Sequence, residues 1–122
     1  MAFFNEPRIF DKEFKELDLP SELIEGMIFN NCTFRNCNFS DASLKNCSLE
    51  NCRFIHCDLS LIKVSQTHFN NTSFKQSRMM GINWCQADWN MASLLSTKRI
   101  DFYECLIDHS LFIDLDLKET SF

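Results

Sequence analysis

The stretch Cys32–Leu59 reads CTFRNCNFSDASLKNCSLENCRFIHCDL and contains five of the seven cysteines of the chain. These cysteines recur at multiples of five residues, whereas zinc ligands are usually spaced as CxxC pairs. A bulky apolar residue lies two positions after each cysteine, as in Cys32-Thr33-Phe34. The stretch therefore has a period of five residues, and this period extends beyond it in both directions.

Bulky apolar residues occupy every fifth position over a long part of the chain, and a smaller or aliphatic side chain lies two residues before each of them. The bulky set is Phe29, Phe34, Phe39, Leu44, Leu49, Phe54, Leu59, Val64, Phe69, Phe74, Met79, Trp84, Trp89 and Leu94. The preceding set is Met27, Cys32, Cys37, Ala42, Cys47, Cys52, Cys57, Ile62, Thr67, Thr72, Ser77, Ile82, Ala87 and Ala92. Because no charged residue occupies either position, the sequence predicts that both point inward.

The phase slips by three residues after Leu94 and then resumes. The break is LSTKRID, residues 95–101, and the second run has its bulky residues at Phe102, Ile107, Phe112, Leu117 and Phe122. The chain of 122 residues is long enough for one domain, so we predict a single domain over 1–122 with repeat runs at 27–94 and 102–122.

A period of five fits neither an α-helix nor a flat strand. It fits a coil with four flat sides, in which residues 1 and 3 of each five-residue unit point inward and four units complete one turn. Residues twenty apart would then lie above one another at the strand spacing of about 4.8 Å, in parallel sheets. The predicted ladders include Phe34/Phe54/Phe74/Leu94, and about five coils would form a rod about 24 Å long.

Units such as CTFRN, CNFSD, ASLKN, CSLEN and ADWNM resemble the A(D/N)LXX consensus of the pentapeptide-repeat family, with Cys, Thr or Ser often replacing Ala. The resemblance covers Met27–Phe122 and implies an all-β fold, a right-handed quadrilateral parallel β-helix. Residues 81–94, GINWCQADWNMASL, are similar to the Gly-Ile-Glu-Phe-X-X-Cys-Asp-Leu-X-X-Ala-Asn-Phe segment of the Qnr quinolone-resistance subfamily. That similarity implies a rod that mimics duplex DNA and binds DNA gyrase or topoisomerase IV, although the two loops of that subfamily are absent or shorter here.

Cysteines of the small inward position are predicted to pack in the core as compact hydrophobes. Cys32/Cys52 and Cys37/Cys57 would stack within the Cα distance of a disulfide, but parallel Cα–Cβ vectors hold their Cβ atoms too far apart. Cys85 differs, because it occupies an outward position. It is either an idle exposed cysteine or the one reactive thiol of the chain.

No constellation for catalysis, cofactor or metal binding is predicted. His56, His68 and His109 fall in outward positions of different units, on a convex surface without a cleft. Ser110 in the triplet Asp108-His109-Ser110 points inward, and with two glycines neither phosphate-binding loop can be written. We therefore expect a binding protein and not an enzyme.

The acidic charge is concentrated towards both ends of the sequence. Residues 1–26 carry net −4, residues 27–94 net +2 and residues 95–122 net −3. A duplex mimic needs negative charge along its surface, so the candidate partner-binding residues come from the last region. They are Lys98, Arg99, Asp101, Glu104, Asp108, Asp114, Asp116 and Glu119.

Two hypotheses for the partner remain open. The chain binds a type II topoisomerase, or it is a structural interaction module with an unknown partner. Direct binding of nucleic acid is not expected at a net charge of −5, and without a signal peptide or an apolar span the sequence indicates a cytoplasmic protein.

Both termini depart from the repeat. In residues 1–26, Lys12 and Glu22 occupy the small inward position, which predicts a degenerate first coil or a cap. The chain stops at Phe122 in the middle of a unit, so either a longer natural protein continues or the end pairs with a second copy as a homodimer.

Overall fold

A computed structural model describes residues 6–87 and 100–107 of the chain. Short strands alternate with tight corners throughout these residues. The strands are β1 (Arg8–Phe10), β2 (Glu13–Lys15), β3 (Leu23–Glu25), β4 (Ile28–Asn30), β5 (Thr33–Arg35), β6 (Ser43–Lys45), β7 (Ser48–Glu50), β8 (Arg53–Ile55), β9 (Lys63–Ser65), β10 (His68–Asn70), β11 (Thr72–Lys75) and β12 (Ile100–Tyr103). A single turn of 3₁₀ helix covers Trp84–Gln86.

The strands stack into parallel sheets that form the sides of a tube. The sheet orders are β1-β4-β7-β10, β3-β6-β9 and β2-β5-β8-β11-β12. The fourth side consists of isolated parallel bridges that link Asp18, Asn38, Asp58, Arg78 and Leu106 in turn. Equivalent residues of adjacent coils are twenty apart, as in the pairing of Phe34 with Phe54. The fold is the predicted right-handed quadrilateral parallel β-helix.

Fewer coils are complete within the described residues than the five that the sequence predicted. The shortest of the three sheets has three strands and the longest has five, so three coils are represented on every side.

One predicted ladder is wrong at its last rung. Strand β11 pairs with β12 so that Phe74 lies opposite Phe102, 28 residues along the chain, where Leu94 was predicted. Leu94 itself lies outside the described residues. Both residues satisfy the inward position, so the period alone did not distinguish them. The pairing includes Ile100 and Asp101, and the strand therefore begins within the segment 95–101.

Inward side chains fill the tube. Over residues 27–87 the two inward positions of each unit are buried and the other three are exposed or half-buried, as in Cys52 at 0% and Phe54 at 4% exposure between more exposed neighbours. Phe34 stacks on Phe54 with ring centroids 4.7 Å apart and planes 10° apart. The gap that remains between the inward rings is about 10 Å³, too small for a ligand and at the lower limit for one water molecule.

Left-handed backbone conformations make the corners, which explains how the chain turns with two glycines. Among the described residues, Gly26 and Gly81 have φ of 70°, and fourteen other residues have φ between 50° and 61°. Asn31, Asn36, Asn46, Asn51 and Asn71 belong to this set, because asparagine adopts positive φ at lower cost than most residues. Asn38 acts differently, because its Oδ1 accepts a hydrogen bond from the Ser40 amide.

Cysteines of the small inward position also donate hydrogen bonds, which the sequence did not reveal. The Sγ atom of Cys52 lies 3.4 Å from the Phe29 oxygen and 3.3 Å from the Glu50 oxygen. In the next coil the hydroxyl of Thr72 donates to the equivalent carbonyls of Leu49 and Asn70. Cysteine, threonine and serine replace one another at this position because each combines small volume with a donor.

The first coil is a true coil of the tube. Strands β1, β2 and β3 pair in register with β4, β5 and β6. Lys12 and Glu22 are exposed although they occupy the small inward position. Both side chains therefore keep their ionised groups in solvent.

Candidate protein interface

Two of the predicted partner-binding residues, Asp101 and Glu104, are described by the structure. Lys98, Arg99, Asp108, Asp114, Asp116 and Glu119 lie outside the described residues. Asp101 is half-buried and lies in β12 between the inward side chains of Ile100 and Phe102, so that its carboxylate faces outward. Glu104 forms the corner that follows, with φ of 54°.

The corner at Glu104 is held in place by the preceding coil. The amide Nε2 of Gln76 donates to Glu104 Oε1 at 2.9 Å, and the backbone N–H of Gln76 donates to the Tyr103 oxygen at 2.8 Å. The ammonium of Lys75 lies 5.4 Å from the centroid of the Tyr103 ring, a cation–π distance. A carboxylate, an aromatic ring and a cation therefore lie together around one corner.

Two apolar side chains near this corner were missed by the sequence reasoning. Tyr103 is 52% exposed and Leu106 is 59% exposed. Exposed aromatic residues are enriched at protein interfaces. The signal in the sequence is a bulky apolar residue in an outward position, where the five-residue period does not mark it. We call Asp101, Tyr103, Glu104 and Leu106 the β12 surface.

Ion pairs on the other described coils are exposed and isolated. Arg35 donates to the carboxylate of Glu13, and this hydrogen bond holds the pKa of Glu13 below its ordinary value. Lys63 lies 2.8 Å from Asp41 and likewise lowers the pKa of that carboxyl group. Such pairs fix side chains locally and contribute little to stability.

Thiols that point inward have pKa values set mainly by their surroundings. Burial raises the pKa of Cys52 to about 12, and it also raises that of Cys47 and Cys105. A hydrogen bond between Cys37 and Cys57 lowers the pKa of Cys37, because the Cys37 thiolate accepts from the Cys57 thiol. The same hydrogen bond raises the pKa of Cys57. All seven cysteines are free, and Cys85 is exposed as predicted.

The described residues do not bring a catalytic or metal-binding set together. His56 lies at a corner and His68 in β10, on different sides of the tube, while His109 lies outside the described residues. No group of three potential metal ligands occurs among residues 6–87 and 100–107. An open depression of about 540 Å³ at the first coil is lined by Glu6, Arg8 and Lys12 beside apolar side chains, and no histidine or cysteine lines it.

Helical structure is too short to suggest a membrane span. In the part of the chain that the structure describes, no helix is long and apolar enough to cross a bilayer.

The sequence matches the pentapeptide repeat region over residues 27–112, which is most of the chain. The chain therefore belongs to the pentapeptide-repeat family. No curated protein matches it significantly.

A solved structure of another pentapeptide repeat protein has the same fold. The pentapeptide repeat protein Rfr23 of the cyanobacterium Cyanothece 51142 is similar with a TM-score of 0.61 at 12% identity, over 93% of this chain and 89% of that one. Full-length QnrB1, a plasmid-mediated fluoroquinolone resistance protein, is matched with a TM-score of 0.48 at 18% identity, over 84% of this chain. The chain spans half the length of QnrB1.

Proposed function

We propose that this chain is a cytoplasmic binding protein without enzymatic activity that occupies the DNA site of a type II topoisomerase, DNA gyrase or topoisomerase IV. By doing so it protects the enzyme from quinolones or toxins. The observation that carries the proposal is the β12 surface, where Asp101 in β12 and Glu104 at the corner that follows present negative charge beside the longest sheet.

The proposed binding depends on complementarity between the rigid acidic surface of this chain and the phosphate-binding site of a topoisomerase. A topoisomerase binds DNA through a positively charged surface, and a protein with carboxylates on a rod can compete for it. Strand β12 is held by four residue pairs with β11, and Phe102 is stacked on Phe74. Little ordering entropy is lost on binding when side chains lie on such a scaffold.

The sequence similarity of residues 81–94 to the Qnr segment points to the same class of partner. The segment leads directly to the β12 surface along the chain. Residues 27–94 carry net +2 and do not resemble a phosphate backbone, so the proposal places the contact in the acidic region 95–122.

A supercoiling assay with purified gyrase and a quinolone tests the proposal. We expect added protein either to restore supercoiling or to inhibit it directly. The protein should act at micromolar concentration, a common range for such complexes. If neither effect is seen with gyrase or with topoisomerase IV, the proposal is wrong.

Matched variants locate the contact. We expect Asp101→Asn/Glu104→Gln to weaken the effect more than Asp41→Asn/Glu50→Gln, which removes the same charge from the middle coils. From the sequence, neutralising Asp108, Asp114 and Asp116 should also weaken it. Circular dichroism of each variant checks that the fold is retained, and equal effects of the two double variants would contradict a local contact.

The second candidate is a structural interaction module with another protein partner. Exposed Tyr103 and Leu106 favour it, because a mimic of phosphates needs no apolar contact. A pull-down from a bacterial lysate that returns one defined partner other than a topoisomerase, and loses it with Tyr103→Ser/Leu106→Ser, would support this candidate over the first.

A further inference from the structure

The longest sheet carries three cations on the outward side of its three middle strands. Arg35 lies in β5, Arg53 in β8 and Lys75 in β11. From strand geometry, the Cα atoms of Arg35 and Lys75 are about 10 Å apart, two rungs along the sheet, and Arg53 lies about 8 Å from each. We call these three residues the basic patch.

Arg53 is oriented entirely by neutral groups. Its Nε donates to Thr33 Oγ1 at 2.9 Å, its Nη1 to the Asn51 oxygen at 3.1 Å and its Nη2 to Asn31 Oδ1 at 3.0 Å. A guanidinium has five N–H donors, so two remain for a ligand. No carboxylate accepts directly from Arg53, and the nearest one in this network is Asp11, whose Oδ1 accepts from Asn31 at 2.7 Å. The fixed fork of Arg53 suits recognition of a carboxylate.

The surroundings of the patch are polar and uncharged. Strands β5, β8 and β11 carry no acidic residue. The flanking corners are Asn31, Asn51 and Asn71 on one edge and Asn36, His56 and Gln76 on the other.

Acidic residues limit the patch at both of its ends. Glu13 in β2 is engaged by Arg35, and Asp101 lies in β12 at the other end of the sheet. The positive surface therefore extends over three rungs, about 10 Å.

An apolar side chain lies inside the patch. Ile55 occupies the same column of the sheet as Arg35 and Lys75, between them, and it is half-buried. The ring of Tyr103 continues this column beyond Lys75. A ligand that satisfies the cations thus also contacts an aliphatic surface.

We propose that the basic patch binds a short segment of a partner protein in which carboxylates flank an apolar residue. The three cations face the carboxylates, and Ile55 contacts the apolar side chain between them. A nucleic acid fits poorly, because its row of phosphates would continue past three rungs onto Glu13 and Asp101 and would place no apolar group on Ile55. This surface adjoins the β12 surface where Lys75 contacts the Tyr103 ring, and the inference does not depend on a topoisomerase as the partner.

Fluorescence anisotropy with a labelled peptide, Glu-Glu-Leu-Glu-Glu, tests the inference on the full chain. We expect binding that weakens with salt, and a loss of affinity of about tenfold or more in Arg53→Gln/Lys75→Gln, because both charges that lack an acidic partner are removed. The control Lys45→Gln/Lys63→Gln removes the same charge from the sheet β3-β6-β9 and should change affinity by no more than about twofold.

Two further probes distinguish the alternatives. Replacing the leucine of the peptide by serine should weaken binding to the wild type, and Ile55→Ser should weaken binding of the leucine peptide. A short duplex DNA should bind less tightly than the leucine peptide. The inference is overturned if the two double variants lose affinity equally, if the peptide does not bind, or if duplex DNA binds more tightly and loses affinity in Arg53→Gln/Lys75→Gln. Thermal denaturation of every variant separates loss of the fold from loss of the surface.

Discussion

The middle coils of the rod and the coil that contains β12 have the same interior and different exteriors. Phe54 stacks on Phe34 at 4.7 Å in the middle, and Phe102 stacks on Phe74 at 5.5 Å near the end, both with nearly parallel rings. The first pair is separated by 20 residues and the second by 28. Outside, the middle strands of the longest sheet carry cations, whereas β12 carries Asp101 and Tyr103 and is followed by Glu104 at the corner. The interior therefore fixes the fold, and the exterior is free to diverge.

The largest expected effect on the free energy of unfolding comes from removing a ring of the aromatic ladder, and Phe54 and Phe102 provide the comparison. Phe54→Ala should lower the free energy of unfolding by about 3–5 kcal/mol, because the ring is buried and stacked on both sides. Phe102→Ala should cost less, since Cys105 and Ile107 beside it are only half-buried. Urea denaturation measures both. An equal or larger cost for Phe102→Ala would contradict the view that the β12 coil is packed less tightly.

Cysteines of the small inward position provide the next contrast. Cys52→Ala should cost about 1–2 kcal/mol, because it removes a buried sulfur and its contacts with two carbonyl groups. Cys52→Thr should cost less, because Thr72 makes the equivalent hydrogen bonds one coil further on. Cys105→Ala should be milder than Cys52→Ala. Should alanine and threonine cost the same at Cys52, the hydrogen bonds would have no part in the preference.

Exchanging corner residues between the two regions tests the role of asparagine. Asn51 and Glu104 both have φ near 55°, a conformation that asparagine adopts more easily than glutamate. Glu104→Asn should stabilise the protein by at most roughly 0.5–1 kcal/mol, because the gain in backbone conformation is offset by loss of the hydrogen bond from Gln76 Nε2 to Glu104 Oε1. Asn51→Glu should destabilise it by a similar or larger amount. The second change also loses the hydrogen bond from Asn71 Nδ2 to Asn51 Oδ1. Thermal unfolding of both variants measures this, and stabilisation by Asn51→Glu would exclude the conformational explanation.

The smallest effect concerns pH and the exposed pair of the first coil. The pKa of Glu13 is lowered in the folded state by its hydrogen bond with Arg35. The carboxylate therefore stabilises the fold above its ordinary pKa of 4.5, and this contribution is lost as pH falls through the lowered value. Glu13→Gln should be slightly less stable than wild type at neutral pH and equal to it in acid. A difference that grows towards low pH would have the wrong sign.

Inward residues such as Phe54 and Cys52 were predictable because a tube of four flat sides imposes a strict period on whatever fills it. Some corners carry a local signal, since asparagine adopts positive φ at low cost, whereas the corners at Leu61 and Gln66 have positive φ without one. The rung of Phe102 on Phe74 was not predictable, because residues on both sides of the break satisfy the same inward position.

The β12 surface and the basic patch were hard to find in the sequence because outward positions carry no periodic constraint. Asp101 and Glu104 were identified by charge alone. The register between coils decides which side chains surround Tyr103, Leu106 and Arg53. Their neighbours lie twenty or twenty-eight residues away in the sequence, so the sequence alone does not show them.

The pairing of Phe74 with Phe102 has a consequence for how such chains change in length. Pairing between adjacent coils requires that the chain re-enter the sheet in register. It does not require that exactly twenty residues separate the two paired strands. An insertion should therefore be tolerated when the chain after it re-enters the sheet with an inward residue at an inward position. A shift of one residue should disrupt the fold, because inward side chains would then face solvent.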